Sequence, residues 1–90
     1  MKRTLFILAM VLFATQSQAQ SRCKVMDPTG TPLNVRTEPN GRVVEVLPNG
    51  VLVSIIGSSR DRRNKPWAYV ADFYTQLPIG WVFREFIACY

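Results

Sequence analysis

The chain contains no histidine, which removes the commonest general base and the commonest metal-ligating side chain. Only two cysteines are present, Cys23 and Cys89, so no thiolate cluster with zinc spacing can form. The six acidic residues are scattered and build no calcium loop. Asp61 and Asp72 come nearest to a carboxylate pair, and the simpler reading of both is as isolated surface groups. These gaps exclude the common catalytic constellations and leave a non-catalytic protein with no cofactor and no metal as the expectation. Acids are also in the minority, eleven Lys and Arg giving a net charge of +5. That is a mild positive balance, not the polybasic composition of a dedicated nucleic-acid binder, and no nucleic-acid partner is expected. After the N-terminal segment no apolar run approaches the ~18 residues that a membrane span needs.

What is present begins with an export pattern. Lys2 and Arg3 form a basic region, residues 5–14 an apolar one, and Ser17-Gln18-Ala19 sets small residues where a signal peptidase reads them. Residues 1–19 therefore read as a signal peptide cleaved after Ala19, with an uncleaved anchor as the alternative. Gln20-Ser21-Arg22 is not the small apolar setting of a lipoprotein cysteine. Residues 20–90 form one domain of 71 residues, periplasmic or secreted and not membrane-spanning after cleavage. Loss of Lys2 and Arg3 with retention of all six acids lowers the net charge to +3. Chains shorter than ~80 residues rarely bury enough apolar surface without a staple. An export signal with two cysteines, one near each end, points to a Cys23–Cys89 disulfide; two free thiols or an intermolecular bridge are the other readings.

The remainder is organised around residues 33–50, LNVRTEPNGRVVEVLPNG. Pro39-Asn40-Gly41 and Pro48-Asn49-Gly50 are chain reversals, in which Pro presets φ, Asn bonds the local backbone, and Gly41 and Gly50 supply positive φ. Leu33-Asn34-Val35-Arg36 alternates with period two and reads as a half-buried strand with Leu33 and Val35 inward. Residues 43–47 read as a strand of undecided facing. Residues 51–56 read as another, with Val51, Val53 and Ile55 on one face and Ser54 marking the other. Residues 57–66, GSSRDRRNKP, are too hydrophilic for a core and read as a solvated loop. Trp67-Ala68-Tyr69-Val70 resumes the strand pattern, residues 71–79 form a second connection, and Gly80-Trp81-Val82-Phe83 is a further strand. A single helical turn at Arg84-Glu85-Phe86 precedes a short last strand, Ile87-Ala88-Cys89. Five or six short strands with turns at regular intervals describe an all-β barrel or sandwich.

The succession Leu33-Asn34-Val35-Arg36, Asn40-Gly41, Val43, Leu47, Asn49-Gly50, Val53, Trp67, Val70 and Gly80-Trp81-Val82 resembles the bacterial SH3-like domain family, over nearly the whole of residues 31–87. The resemblance implies a small, partly open SH3-like barrel of about five strands. It also implies a long first loop over residues 37–41, a facing loop over residues 57–66, and one short helical turn before the last strand. Members are usually non-catalytic modules of exported proteins, often attached to cell-wall hydrolases, that bind peptidoglycan or its peptides. By that likeness the chain is an exported, stand-alone binding module whose partner is peptidoglycan, its peptides or an envelope protein.

Two surfaces are candidates. Trp67, Tyr69, Phe73, Tyr74, Trp81 and Phe83 crowd the last third of the chain. An aromatic shelf of Trp67, Tyr69, Tyr74 and Trp81 beside the first loop would offer stacking faces, with Arg36 or Arg84 supplying a fork for carboxylates and Glu38 a further ligand-binding candidate. Trp67, Trp81 and Phe83 have a second reading as barrel core. Arg60, Arg62, Arg63 and Lys65 could bind an anionic partner through bidentate contacts, or form only a soluble loop. The alternative function is that of a small secreted effector or assembly factor contacting another protein or an anionic polymer through this basic loop.

Overall fold

The protein is described by a computed structural model over residues 21–90; the signal-peptide reading of residues 1–19 lies outside the described residues. Alternation of apolar residues produces seven strands: β1 (Cys23–Val25), β2 (Leu33–Arg36), β3 (Val43–Leu47), β4 (Leu52–Arg60), β5 (Pro66–Asp72), β6 (Pro78–Phe83) and β7 (Ile87–Cys89). They form one antiparallel sheet in the order β3-β2-β6-β5-β4-β1-β7. The sheet is not closed into a barrel; β3 and β7 are its ends. The all-β expectation holds, with seven strands where about five were expected. Cys23–Val25 accounts for part of the difference. It looks too short to stand alone, yet it pairs with β4 on one side and β7 on the other.

One side of the sheet carries the core. Leu33 and Val35 of β2, Val53 of β4, Ala68 and Val70 of β5, Val82 of β6, Val25 of β1 and Ile87 of β7 are buried together, as period-two alternation directs. β5, central and paired on both edges, is buried at Trp67, Ala68, Val70 and Ala71. Gly80 lies where β6 runs beside β2, next to the Arg36↔Trp81 pair. A Cβ there would come within 2.5 Å of Val35 Cγ1, and its φ of +151° disfavours a side chain, so only glycine fits.

Several local readings need correction. Residues 57–60 are not loop but the far half of β4, paired through to Arg60↔Pro66. The backbone ladder holds there although Ser58, Ser59 and Arg60 are exposed, because their partners on β5 include the buried Ala68 and Trp67. The loop shrinks to residues 61–65. Likewise β5 extends to Asp72 and β6 starts at Pro78, shortening the second connection to residues 73–77. Ser54, on the face opposite Val53, is itself buried, and its hydroxyl accepts a hydrogen bond from Gln76 Nε2 at 3.1 Å. In the first turn the positive φ belongs to Asn40 (63°), not Gly41. Gly41 is needed for a different reason, since a Cβ would meet Glu38 Cγ at 2.6 Å and Thr37 Oγ1 at 2.8 Å. Gly50 does take positive φ, 94°. Residues Arg84–Phe86 form the single turn expected, of 3-10 type.

Cys23 and Cys89 are opposite each other in the β1–β7 ladder and are joined by a disulfide, with Cα atoms 3.9 Å apart. The bond ties the two ends of the domain at one edge of the sheet. Among the described residues no helix is long and apolar enough to cross a membrane.

Candidate functional site

The β4–β5 hairpin ends in a turn built by Asp61. Its backbone N–H donates to Lys65 O (3.0 Å), and its carbonyl accepts from Asn64 N (2.8 Å), with Asn64 at φ 67°. Its Oδ1 accepts from the N–H groups of Arg63 (2.9 Å) and Lys65 (3.0 Å), a carboxylate closing its own turn. The second oxygen looks outward. Oδ2 accepts from the Trp67 indole Nε1 at 3.0 Å and from Asn40 Nδ2 at 3.0 Å. Asp61 therefore ties the hairpin tip to the first loop, 21 residues earlier in the chain, and orients the buried indole of Trp67. The Trp67 N–H first, then the Lys65, Arg63 and Asn40 donors, hold its carboxyl down at about 2, because each favours the ionised form.

Between the two loops lies a cleft of about 570 Å³. Glu38, Pro39 and Asn40 form one wall, and Ser59, Arg60 and Arg62 the other, with Asp61 between. A second recess of about 390 Å³, lined by Ser58, Ser59, Arg60, Pro66, Trp67 and Arg84, shares Arg60 with the first. The pair makes a continuous mixed-charge surface with acids and guanidinium groups on facing walls, suited to a ligand carrying both signs of charge.

The candidates divide. Glu38, Arg60 and Arg62 meet in the cleft, and Trp67 and Arg84 adjoin it through the second recess. Arg63 and Lys65 are exposed on the turn beside it. Trp67 is no open stacking face; only 2% of its surface is exposed, and it packs on Phe83 with ring centroids 4.3 Å apart. Arg36 and Arg84 are also partly committed. Arg36 Nη1 donates to Gly41 O at 2.8 Å. Arg84 Nη1 donates to Ile87 O at 2.8 Å, and its Nη2 reaches Cys89 Sγ at 3.7 Å.

The single aromatic shelf separates into three groups. Tyr69 and Trp81, half-buried, pair across β5 and β6 at 5.2 Å, with Arg36 opposite Trp81 in β2. Tyr74 is 76% exposed and stands edge-on to Phe73 in the turn at the other end of β5. Seven residues of strand, about 20 Å, separate it from the cleft. Asp61, Asn40 and Ser59 were missed as site residues. The signal for Asp61 was present in Asp61-Arg62-Arg63-Asn64, an Asx-turn pattern inside the polar run; nothing local shows that Asn40 would be its partner.

No family model, curated protein or solved structure matches the chain. Fold and site together define a small, disulfide-closed, all-β domain with a cleft between two loops at one end of its sheet. Among the described residues no group of His, Cys, Asp or Glu is arranged to hold a metal ion.

Proposed function

We propose that the protein is an exported, non-catalytic binding module of SH3-like, partly open barrel type that recognises peptidoglycan, its peptides or an envelope protein. The observation that carries this reading is the cleft between residues 37–41 and 61–65, with Glu38 on one wall and Arg60 and Arg62 on the other. Wall peptides present free carboxylates and amines on a short backbone, and such a cleft matches both charges. The long first loop, the turn facing it and the 3-10 turn before the last strand support the SH3-like assignment. The signal-peptide pattern and the disulfide fit a non-cytoplasmic setting.

The test is co-sedimentation of residues 20–90 with purified peptidoglycan. Retention in the pellet is expected, with several-fold loss for Arg62→Ser and for Glu38→Gln. Absence of retention at low salt discards the wall ligand. The exposed Arg62, Arg63 and Lys65 favour a second reading, an anionic polymer held by the turn. That binding would weaken steeply with salt and be indifferent to Glu38→Gln.

A further inference from the structure

β3 is an end strand of the sheet, with one row of backbone N–H and C=O groups that no described strand pairs. Sheets commonly guard such edges with lysine, proline or inward charge. β3, Val-Val-Glu-Val-Leu, has no lysine or proline and one charge, Glu45, opposite the buried Val35, while Val43, Val44 and Val46 are exposed at 42%, 49% and 49%. The opposite edge is guarded differently: β7 has three residues and is fastened to β1 by the disulfide.

The β2–β3 register explains how the exposed residues are sorted. Val35 lies opposite Glu45, and Arg36 lies opposite Val43, so Val44 is an extra residue and a bulge shifts the alternation by one. Arg42, whose carbonyl accepts from Thr37 N, and Glu45 thereby fall on the same face of the strand. Val43 and Val46 fall on the other, beside Arg36 and Asn34. The side chains of Arg42 and Glu45 make no hydrogen bond or ion pair with any described residue.

We propose that two copies of the chain pair through β3, antiparallel about a two-fold axis, so that their sheets become continuous. Reversal of one strand against the other sets Val43 and Val46 of each copy across from Val46 and Val43 of its partner. It also brings each Arg42 within reach of the other copy's Glu45, because opposite and diagonal neighbours both interact. A strand carrying one base and one acid three residues apart complements itself only in this orientation. Parallel pairing in register would set like charge against like. The isologous contact uses one patch twice, and the pairing satisfies the open backbone row. The strand is short and bulged, so the ladder has few hydrogen bonds and the association is weak.

Sedimentation equilibrium of residues 20–90 from about 1 μM to about 1 mM should show a reversible monomer–dimer equilibrium. Arg42→Glu and Glu45→Arg should each weaken it about tenfold, since each converts two symmetry-related attractions into repulsions. The double variant R42E/E45R should return to within about threefold of the parent, and its melting temperature should match the parent's because both side chains are exposed. Val46→Lys should weaken the dimer through the other face of the strand. A monomer throughout that range overturns the proposal. So does a dimer indifferent to the single reversals, or a double variant as weak as either single one.

Discussion

Asp61 gathers four donors on one carboxylate, from Arg63, Lys65, Trp67 and Asn40, and so links a turn, a buried indole and the opposite loop. Its carboxyl titrates at about 2 instead of the ordinary 3.8. A depressed folded value means that the ionised form favours the fold. The contribution is complete above about pH 4 and disappears as pH falls through 2. Asp27 and Asp72 are lowered as well, Asp27 first by its side-chain bond with Thr29 and Asp72 first by the backbone N–H of Thr75, so they act in the same direction. Acid titration of the melting temperature should therefore show a decline over that window, and Asp61→Asn should flatten part of it. At neutral pH the same substitution should lower the melting temperature by a few degrees and red-shift the Trp67 emission. A variant with an unchanged acid profile and unchanged emission would remove Asp61 from the centre of the site. Gly80 is the second sensitive position. Alanine there meets Val35 Cγ1 at 2.5 Å and Arg36 O at 3.1 Å, and denaturant titration should show a loss of roughly 1–3 kcal/mol.

The two long hairpins share a device. Asp61 closes the β4–β5 turn, and Asp72 closes the β5–β6 turn by accepting from Tyr74 N at 2.8 Å and Thr75 N at 2.9 Å. In both, an Asp at or next to the strand end caps a turn that contains a positive-φ residue, Asn64 or Gln76. Strand type was legible from alternation alone: Leu33 and Val35 are buried where period two puts them. Strand length was not. Hydrophilic Ser58, Ser59 and Arg60 look like loop until β5 is seen beside them, because ladder hydrogen bonds are indifferent to the polarity of the exposed side chains that the strand carries. This division predicts how the cleft responds to change. Arg62→Ser, on an exposed turn residue, should leave the melting temperature unchanged while reducing ligand retention several-fold. Arg60→Ser removes the Arg60 Nη1 bond to Asn64 O (2.7 Å) and should loosen the turn as well, seen as faster amide exchange over residues 61–65.

At the scale of the whole domain, the first and last strands in the chain, β1 and β7, are locked together by sulfur at one edge of the sheet. The bond closes a loop with a sequence separation of 66, and restricting the unfolded chain to such a loop stabilises the fold by roughly 4 kcal/mol. Reduction should lower the melting temperature markedly, and Cys23→Ala with Cys89→Ala should reproduce the reduced melt. Equal melts with and without reductant would mean that edge pairing of β1 with β7 and the core of Val25, Val53 and Ile87 suffice. The aromatic residues show why the site was harder to foresee than the staple. Trp67, Tyr69, Tyr74 and Trp81 occupy neighbouring stretches of sequence, yet the sheet sends Trp67 inward against Phe83, pairs Tyr69 with Trp81, and carries Tyr74 to the far end of β5.

Composition and periodicity alone pointed to an all-β chain, its principal reversals at Asn40 and Gly50 and the single turn before the last strand, and the export pattern with two cysteines pointed to a disulfide that the structure contains. Each of these depends on near neighbours or on a choice with one partner, so local chemistry was enough. Which aromatic faces a ligand, where the polar run turns from strand to loop, and how Asn40 meets Asp61 were settled by strand order and register. Those bring together residues distant in the chain, and no periodicity in a single segment encodes the distance between two others.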